Sequence, residues 1–346
     1  MALQDLMNLS LDKNQKKIGI SQERIEEIKP QLREYISFWR EYPDLFIDFM
    51  YTGGNPEKEK DLTFRLFFYQ RVFLRAAMRF KYVYAVYPRA YSKSFLSVLI
   101  LMIRAILYPR AKLFSTAGGK EQAAQILQEK VDDICQKIPA FQREIDWTRG
   151  ETKVGKDSCI YKFKNGSTIE NLAATERSRG RRFHGGLIEE CVGVDQKILQ
   201  EVIIPTMNVS RRCMDGNVRE EEVLNQSQIF ITTAGYKSTY SYEKLIQLLV
   251  RMTTRGDSLV MGGTWRIPVV MGLQPKNFVN DLRNDSTFNE ASFGREYESK
   301  WTGTVEDAFF DGDRFDRCRK LLQPEYEASG RSNKNAYYIV GVDVGR

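Results

Sequence analysis

The sequence predicts an α/β fold in which a mostly parallel sheet is flanked by helices. Apolar runs of strand length alternate with segments of helical periodicity, for example over residues 82–87, 95–107 and 120–137. Residues 159–172 carry two strand-like runs around Asn165-Gly166, a pattern that predicts a β-hairpin. Because 42% of its residues are hydrophobic, a chain of 346 residues can bury a core of this kind.

The segment after the first predicted strand has the features of a phosphate-binding loop. An apolar strand leads into a short loop, and an apolar helix follows. The N-terminus of that helix would direct free N–H groups at phosphates, Lys93 would reach the β and γ oxygens, and Ser94 would hold Mg²⁺. The residues assigned to nucleotide binding here are Pro88, Arg89, Ala90, Tyr91, Ser92, Lys93 and Ser94.

This loop departs from the usual pattern G-x-x-x-x-G-K-[ST]. Tyr87 and Ser92 stand where that pattern has glycine. A residue other than glycine at position 92 has to tolerate crowding or a positive φ. A basic turn between a strand and a helix is the alternative interpretation.

Two further strand ends carry polar groups suited to ATP hydrolysis. One apolar strand ends in Glu189 and Glu190, which fits a Walker B element with Glu189 in the Mg²⁺ shell and Glu190 polarising the attacking water. Another ends in Thr232, Thr233 and Ala234, which suits a sensor of the γ-phosphate. The alternatives are a solvated helix face and an ordinary buried strand. Together with the loop, these strand ends predict a P-loop NTPase of the ASCE type.

Charge and cysteine content narrow the classes of partner and site. The formal charge of +7 favours a polyanionic partner such as nucleic acid. The five cysteines show no C-x-x-C spacing and the chain has one histidine, so no zinc site is predicted. The first 17 residues lack a sustained apolar core, and the apolar run at 95–107 is too short to span a bilayer. We therefore expect reduced thiols in a cytosolic protein.

The last residues of the sequence carry a separate clue. Residues 337–345 form an apolar strand that delivers Asp343, which resembles the first strand of a ribonuclease-H-like nuclease, where an aspartate holds a catalytic metal. Two-metal chemistry needs several carboxylates, and the chain stops at Arg346. We therefore expect an incomplete nuclease metal site at Asp343 and no DNA cleavage. A terminal strand with an incidental aspartate is the alternative.

In this order, the motifs resemble those of the large terminase subunit of tailed bacteriophages, the motor that packages DNA. The resemblance extends over residues 64–345. The family's loop carries an early arginine before G-K-[ST], and Arg89, Lys93 and Ser94 match it. The family's Walker B strand normally ends in Asp-Glu, whereas this one ends in Glu189-Glu190.

Some residues take a role only through this resemblance. Gln70 follows an aromatic residue, as does the glutamine that contacts adenine in the family. Arg179-Gly180 resembles an element whose arginine is proposed to reach the neighbouring subunit's nucleotide, and Arg89 would act in cis. Residues 232–234 resemble the motif that couples hydrolysis to DNA movement. A solvated helix residue at position 70, and a DNA-backbone contact or a solvated arginine at position 179, are the alternatives.

The resemblance implies an ATP-hydrolysing motor domain that uses ATP and Mg²⁺ to translocate double-stranded DNA into a procapsid. Its implied partners are double-stranded DNA, a portal protein and a small terminase subunit, in the cytoplasm of the host cell. The working motor would be a homo-oligomeric ring, with a monomer as the alternative for the isolated domain. A helicase-like translocase and a docking module with a degenerate nucleotide site are the alternative functions.

The same interpretation divides the chain into four parts. They are an N-terminal helical segment (1–60), the P-loop ATPase core (61–235), a smaller helical lid or linker subdomain (236–335) and the first strand of a truncated nuclease domain (336–346). Within the core, the charged stretch 211–225 is interpreted as a surface insertion. Arg211 and Arg212 in this stretch are candidates for contact with DNA.

Overall fold

The computed structural model describes residues 22–53, 64–303 and 317. Contacts divide the chain into two compact units, one that ends at Thr302 and one that begins at Gly303, and the fold below is that of the first unit. The predicted nuclease strand at 336–346, with Asp343, lies outside the described residues.

A single sheet runs through the described part of the unit, with eight strands in the order β3-β4-β5-β2-β6-β7-β1-β8. The pairs β3–β4 and β4–β5 are antiparallel, and every other pair in this order is parallel. The strands are β1 Tyr82–Val86, β2 Lys112–Thr116, β3 Lys153–Val154, β4 Cys159–Lys162, β5 Thr168–Asn171, β6 Gly185–Glu189, β7 Ser227–Thr232 and β8 Ser258–Gly262.

Helices connect these strands. They are α1 Gln22–Glu41, α2 Pro43–Thr52, α3 Phe68–Arg79, α4 Lys93–Leu107, α5 Lys120–Lys137, α6 Pro139–Glu144, α7 Gln196–Ile198, α8 Ile204–Thr206, α9 Tyr240–Thr254, α10 Arg266–Val270, α11 Lys276–Asn284 and α12 Glu290–Glu298. A π-helical turn, Leu199–Ile203, joins α7 to α8. None of the described helices combines the length and apolar composition needed to cross a membrane.

The strand order confirms the predicted P-loop NTPase fold of the ASCE type. Strand β7 lies between β1, which leads into the phosphate loop, and β6, which ends in the glutamate pair. All residues of β6 and β7 are buried, as expected for central strands of a parallel sheet covered on both faces. The hairpin predicted at residues 159–172 is also present, as β4 and β5, with Gly166 at a φ of +83° in its turn.

The sheet continues beyond the residue at which the sequence pattern ended the ATPase core. Strand β8 pairs with β1 along its whole length, and α9 precedes it in the chain. Residues that the sequence assigned to the smaller subdomain after residue 235 therefore belong to the same sheet. The domain boundaries themselves stay predictions.

Helix α4 lies behind the phosphate loop and is buried on nearly every side. Arg104 in its last turn is fully enclosed, where it donates to the Ala77 carbonyl and, over 2.7 Å, to Oγ of Ser227. Burial lowers the pKa of Arg104 to about 10. Because its guanidinium joins α4 to α3 and β7, this buried cation fixes three elements relative to each other.

The N-terminal helices pack onto this core through ion pairs. The carboxylate of Asp44 on α2 is buried and accepts from Nε of Arg75 at 2.7 Å and from Nη1 of Arg71 at 3.3 Å. Burial alone would raise the pKa of Asp44, but hydrogen bonds from the two arginines outweigh it and hold that pKa below its ordinary value. At the end of α1, Arg40 donates to the Leu107 carbonyl over 2.7 Å.

Strand β6 begins with two glycines because its neighbours approach too closely for a side chain. A Cβ at Gly186 would overlap the ring of Phe114, and one at Gly185 would overlap Oγ of Ser227. Glycine inside a strand often marks this kind of close approach. The glycines therefore let β6 lie flush between β2 and β7.

We expect Gly186→Ala to lower the free energy of unfolding by about 1–3 kcal/mol, because the added methyl group overpacks against Phe114. Urea denaturation would measure the loss. Gly294→Ala is the control, since a Cβ there meets only Lys300 at 3.6 Å and alanine favours the helix. Equal midpoints for Gly186→Ala and the wild-type chain would contradict the close approach.

Candidate active site

The candidate site lies at the carboxyl edge of β1, β7 and β6, which are adjacent in the sheet. The N–H of Tyr87, just after β1, donates to the Thr232 carbonyl over 2.9 Å. The N–H of Glu190, just after β6, donates to the Ile231 carbonyl over 2.8 Å. The loop, the glutamate pair and the threonine pair predicted from sequence are therefore brought together.

The loop has a left-handed backbone conformation at Ser92, the position where the usual pattern has glycine. Ser92, which precedes the first residue of α4, has a φ of +55°, and Ala90 has a φ of +61°. The left-handed region is unfavourable for residues with a Cβ, so the loop stores backbone strain. The hydroxyl of Ser92 lies 3.3 Å from that of Tyr69, which links the loop to α3. The positive φ expected at Ser92 is confirmed.

Tyr91 contributes its main chain to the loop and its ring to the core. The ring is buried and packs on those of Tyr87 and Tyr69, with centroids 4.4 and 4.3 Å apart. A Cβ at Gly263 would overlap the Tyr91 hydroxyl. The position of this side chain therefore leaves the backbone as the part of Tyr91 that can face a phosphate.

Lys93 lies over its own loop and faces Glu190. Its Nζ donates to the carbonyls of Tyr87 and Pro88 over 3.3 and 3.2 Å, and lies 3.5 Å from Oε1 of Glu190. The side chain is 12% exposed, so these contacts are made mostly out of water. The ammonium is thus held where oxygen ligands already surround it.

Ser94 and Glu189 are directly joined. The hydroxyl of Ser94 donates to Oε1 of Glu189 in a short hydrogen bond. The second oxygen, Oε2, is buried and has no hydrogen-bond partner in the described part of the chain. Burial raises the pKa of Glu189 above its ordinary value, although the bond from Ser94 acts in the opposite direction. A buried carboxylate with an open oxygen is a group that a cation would stabilise.

Glu190 is oriented by the end of β7. Its Oε2 accepts from the hydroxyl of Thr232 and from the hydroxyl and N–H of Thr233, each over 3.3 Å. The residue has a φ of +48°, in the left-handed region, where the chain leaves β6. Ala234 follows and is buried. The threonine pair and Lys93 thus determine the direction of this carboxylate.

Gln70 is buried at the first turn of α3. Its Oε1 accepts from the N–H of Phe67 over 2.9 Å, and its Nε2 lies 3.4 Å from the Tyr69 hydroxyl. The side chain therefore caps the helix and touches the residue that contacts Ser92. A solvated position, the alternative from sequence, does not fit this burial.

The two candidate arginines lie on the surface and are held by carboxylates. Arg89 donates to Oε2 of Glu296 on α12 over 2.7 Å, and its side chain is 64% exposed. Arg179 pairs with Glu176 and, over 3.2 Å, with Oε2 of Glu201. Exposed pairs of this kind contribute little to stability, so both arginines can exchange partners at little cost.

Arg211 does not have the exposure expected of a DNA contact. It is 2% exposed, pairs with Glu222 and donates to the Pro109 carbonyl over 2.8 Å. The structure therefore corrects that candidate, since the side chain is part of a buried ion pair. Arg212 is exposed, as expected.

Sequence patterns missed several residues that organise the site. Tyr69 contacts Ser92, and Glu296 holds Arg89 through both its side chain and its carbonyl. Glu296 lies more than 200 positions along the chain from its partner, so no local pattern could indicate it. Tyr69 lies beside Gln70, and the aromatic run around it was the available signal.

Comparisons with known proteins agree with the fold. No protein-family model matches the chain, and no curated protein matches it. The crystal structure of the bacteriophage HK97 large terminase is similar over 74% of this chain and 54% of its own, with 13% identity and a TM-score of 0.54. The large terminase ATPase domain of Thermus phage P74-26 is similar over 72% and 98%, with 14% identity and a TM-score of 0.49.

A third similar structure is the large terminase of another thermophilic bacteriophage, in complex with ADP. It is similar over 65% of this chain and 49% of its own, with 11% identity and a TM-score of 0.45. Of the three, the HK97 protein has the TM-score above 0.5, and at its identity the likeness shows a shared fold. The chain covers 54% of the length of that protein.

We expect Glu189→Gln to raise the midpoint of urea unfolding at neutral pH, because it removes a buried carboxylate with an open oxygen. The raised pKa means that the folded chain keeps a proton that the unfolded chain loses, so the free energy of unfolding falls as pH rises between the two pKa values. The gain from Glu189→Gln should therefore grow across that window.

Glu190→Gln is the matched control for this effect. Glu190 is partly exposed and its oxygens already have Lys93, Thr232 and Thr233 as partners, so its amide should bring no such gain. Unfolding midpoints of both variants at pH 5 and pH 8 would show whether the gain is specific to position 189 and grows with pH. A pH-independent or absent effect at position 189 would contradict the burial argument.

Proposed function

We propose that this chain is the ATP-hydrolysing motor domain of a viral DNA-packaging terminase, which translocates double-stranded DNA into a procapsid. The observation that carries the proposal is the convergence of Lys93, the Ser94–Glu189 pair and Glu190 at the carboxyl edge of three adjacent strands. Phosphates at the N-terminus of α4 would meet a cation, a metal-binding pair and a carboxylate suited to activating water. The fold shared with the HK97 large terminase supports the same assignment.

Lys93 binds the β and γ phosphates of ATP. Its Nζ already lies among three oxygens, the carbonyls of Tyr87 and Pro88 and a carboxylate oxygen of Glu190. Moving to phosphate exchanges these for stronger charge-assisted bonds. The same movement releases Oε1 of Glu190 for another partner.

Ser94 and Glu189 would hold Mg²⁺, and their chemistry fits this ion. Hydroxyl and carboxylate oxygens are its usual ligands, and the open Oε2 of Glu189 supplies one. Among the described residues, no group of three or more His, Cys, Asp or Glu side chains could hold a metal. A magnesium ion held by Ser94 and Glu189 would take its remaining oxygens from phosphates and water. When bound, the ion neutralises charge on the phosphate oxygens.

Glu190 orients the water that attacks the γ-phosphorus. Thr232 and Thr233 hold the carboxylate through hydrogen bonds of 3.3 Å, which are long enough to be exchanged easily. These threonines report loss of the γ-phosphate, and Ala234 transmits the change to the residues after the strand. Either Arg89 offsets transition-state charge in cis, or Arg179 does so in trans from the surface of a neighbouring subunit.

A docking module with a degenerate nucleotide site is the second candidate. The strained Ser92 and the Glu189 that replaces the usual aspartate favour it, since both change the shape of the phosphate and metal sites. Lys93 and Glu190 oppose it, because a site without turnover has no need of either. A helicase-like translocase would share all of these parts, and its substrate would distinguish it.

Double-stranded DNA is the proposed polyanionic partner, and the amino edge of β2 and β6 is its proposed contact. Arg110, Lys112, Arg182 and Arg212 are exposed near this edge, and none of them pairs with a carboxylate in the described part of the chain. Burial and the charges of Lys112 and Arg211 lower the pKa of His184, the residue before β6, to about 4. Exposed cations such as these suit sequence-independent phosphate contacts.

The remaining partners follow from the proposed role. A portal protein and a small terminase subunit would receive and present the DNA, and the working motor would be a homo-oligomeric ring in the host cell cytoplasm. The exposed Arg179 supports a ring, since a residue that acts in trans has to reach beyond its own subunit.

ATP turnover tests the proposed activity. We expect Mg²⁺-dependent hydrolysis that falls at least about 100-fold in Glu190→Gln while ATP binding persists, because the carboxylate acts on water rather than on binding. Lys93→Ala should lose ATP binding, and Glu189→Gln should need a higher Mg²⁺ concentration for half-maximal hydrolysis. Glu129→Gln, on the exposed face of α5, is the control. Turnover that Glu190→Gln leaves intact would refute the assignment, and absence of nucleotide binding would favour the docking module.

DNA binding tests the proposed basic edge. We expect Arg212→Ala to weaken double-stranded DNA binding for every sequence and to reduce the salt slope of log K by about 1, because one phosphate contact is lost. Arg143→Ala, an exposed arginine at the end of α6, is the control and should keep the wild-type slope. Fluorescence anisotropy titrations over a range of about 50 to 200 mM salt would measure it, and identical slopes for the two variants would exclude this edge.

A further inference from the structure

Three buried polar side chains form a hydrogen-bonded cluster that includes Cys191, the residue after Glu190. Tyr84 on β1, Cys191 after β6 and Ser241 in the first turn of α9 are each no more than 4% exposed. The Tyr84 hydroxyl lies 2.6 Å from Oγ of Ser241 and 3.3 Å from Sγ of Cys191, and that sulphur lies 3.1 Å from the same Oγ. Three elements therefore meet at one hydroxyl, that of Ser241.

The hydrogen atoms of this cluster can be assigned by counting donors. The Tyr84 hydroxyl donates to the Ser241 carbonyl over 2.9 Å, so it accepts from the Ser241 hydroxyl. The Ser241 oxygen is then free to accept from the thiol of Cys191. Each member is satisfied only while all three keep their positions.

The main chain links the cluster to Glu190, because Cys191 is the next residue. Oε2 of Glu190 accepts from the hydroxyl of Thr232, and the Glu190 N–H donates to the Ile231 carbonyl. A rotation that turned Glu190 toward water and phosphate would therefore act on the backbone that carries Cys191, whose thiol contacts Ser241.

We propose that Ser241 is a positioning residue that couples the orientation of Glu190 to the first turn of α9, through Cys191, the residue that follows Glu190. The inference rests on the proposed ATPase function and names how the same site communicates with the rest of the chain. The coupling follows a contiguous set of contacts between the carboxylate and the helix. Helix α9 is a suitable output, because it packs on β8 and its outer face is exposed at Ile246, Leu249 and Val250.

A purely structural role for the cluster makes a different prediction. Removing one buried hydroxyl would then lower stability and leave the rate per folded molecule unchanged. A positioning role changes kcat while the KM for ATP stays the same, because binding rests on Lys93 and Ser94. It also changes how nucleotide alters the dynamics of α9.

The test uses Ser241→Ala and Cys191→Ser in the full chain, with Ser97→Ala as the matched control. Ser97 is a buried serine on α4 whose hydroxyl has no hydrogen-bond partner in the described part of the chain. Steady-state ATP hydrolysis gives kcat and KM. Amide hydrogen exchange over residues 240–244, with and without Mg²⁺ and ATPγS, reports on α9 without requiring turnover.

We expect Ser241→Ala to lower kcat about tenfold at unchanged KM and to abolish the nucleotide-dependent change in exchange. Cys191→Ser, which keeps a donor and an acceptor, and Ser97→Ala should both keep the wild-type response. A Ser241→Ala variant that matches the wild-type chain in kcat and exchange overturns the coupling while the ATPase proposal stands. A wild-type chain that neither binds nor hydrolyses ATP overturns both proposals, so the two failures are distinguishable.

Discussion

The parallel pairing of β6, β7 and β1 is the constraint on which the site depends. Residues just after β1 and β6 both donate hydrogen bonds to the end of β7, so the loop and the glutamate pair are fastened to one strand. Because side chains alternate along a strand, a slip of one residue would exchange the faces of Glu189 and Glu190. The two carboxylates have different surroundings only while this register is kept. The glycines of β6 keep this register possible, since a larger residue would push β2 or β7 away.

Helix α4 is held at both of its ends, and this gives the N-terminal helices a part in the site. At its start, Ser92 contacts Tyr69 of α3, and α3 is in turn fixed to α2 through Asp44. At its end, Arg40 of α1 donates to the Leu107 carbonyl, where a cation also complements the helix dipole. In the proposed function the N-terminus of α4 faces phosphates, and the helix would have to resist displacement along its axis. Contacts at both ends supply that resistance.

The sequence allowed the sheet, the loop and the order of the strand-end motifs to be predicted, because strand periodicity and motif spacing are local properties. It indicated the strain at Ser92 for the same reason, since a missing glycine is visible in the pattern. It could not indicate Glu296 or Ser241, whose partners are distant in the chain. It also misjudged Arg211. A charged residue in a charged stretch is expected to be solvated, and the sequence does not show that Arg211 is buried in an ion pair with Glu222. Strand β8 was missed because it is a single short strand after the long helix α9, and a strand of that length gives little periodicity in the sequence.

Several of the places where local rules fail lie at the candidate site. Ala90, Ser92 and Glu190 all have positive φ, and Glu189 keeps a buried oxygen without a partner in the described part of the chain. Each of these features opposes folding and would be removed by selection for stability alone. A bound nucleotide and its metal would supply charge and ligands for these groups, so binding and folding are thermodynamically linked. Under the proposed function, the strain is a property of the free chain that a bound nucleotide would relieve, and this edge of the sheet would respond to the state of that nucleotide.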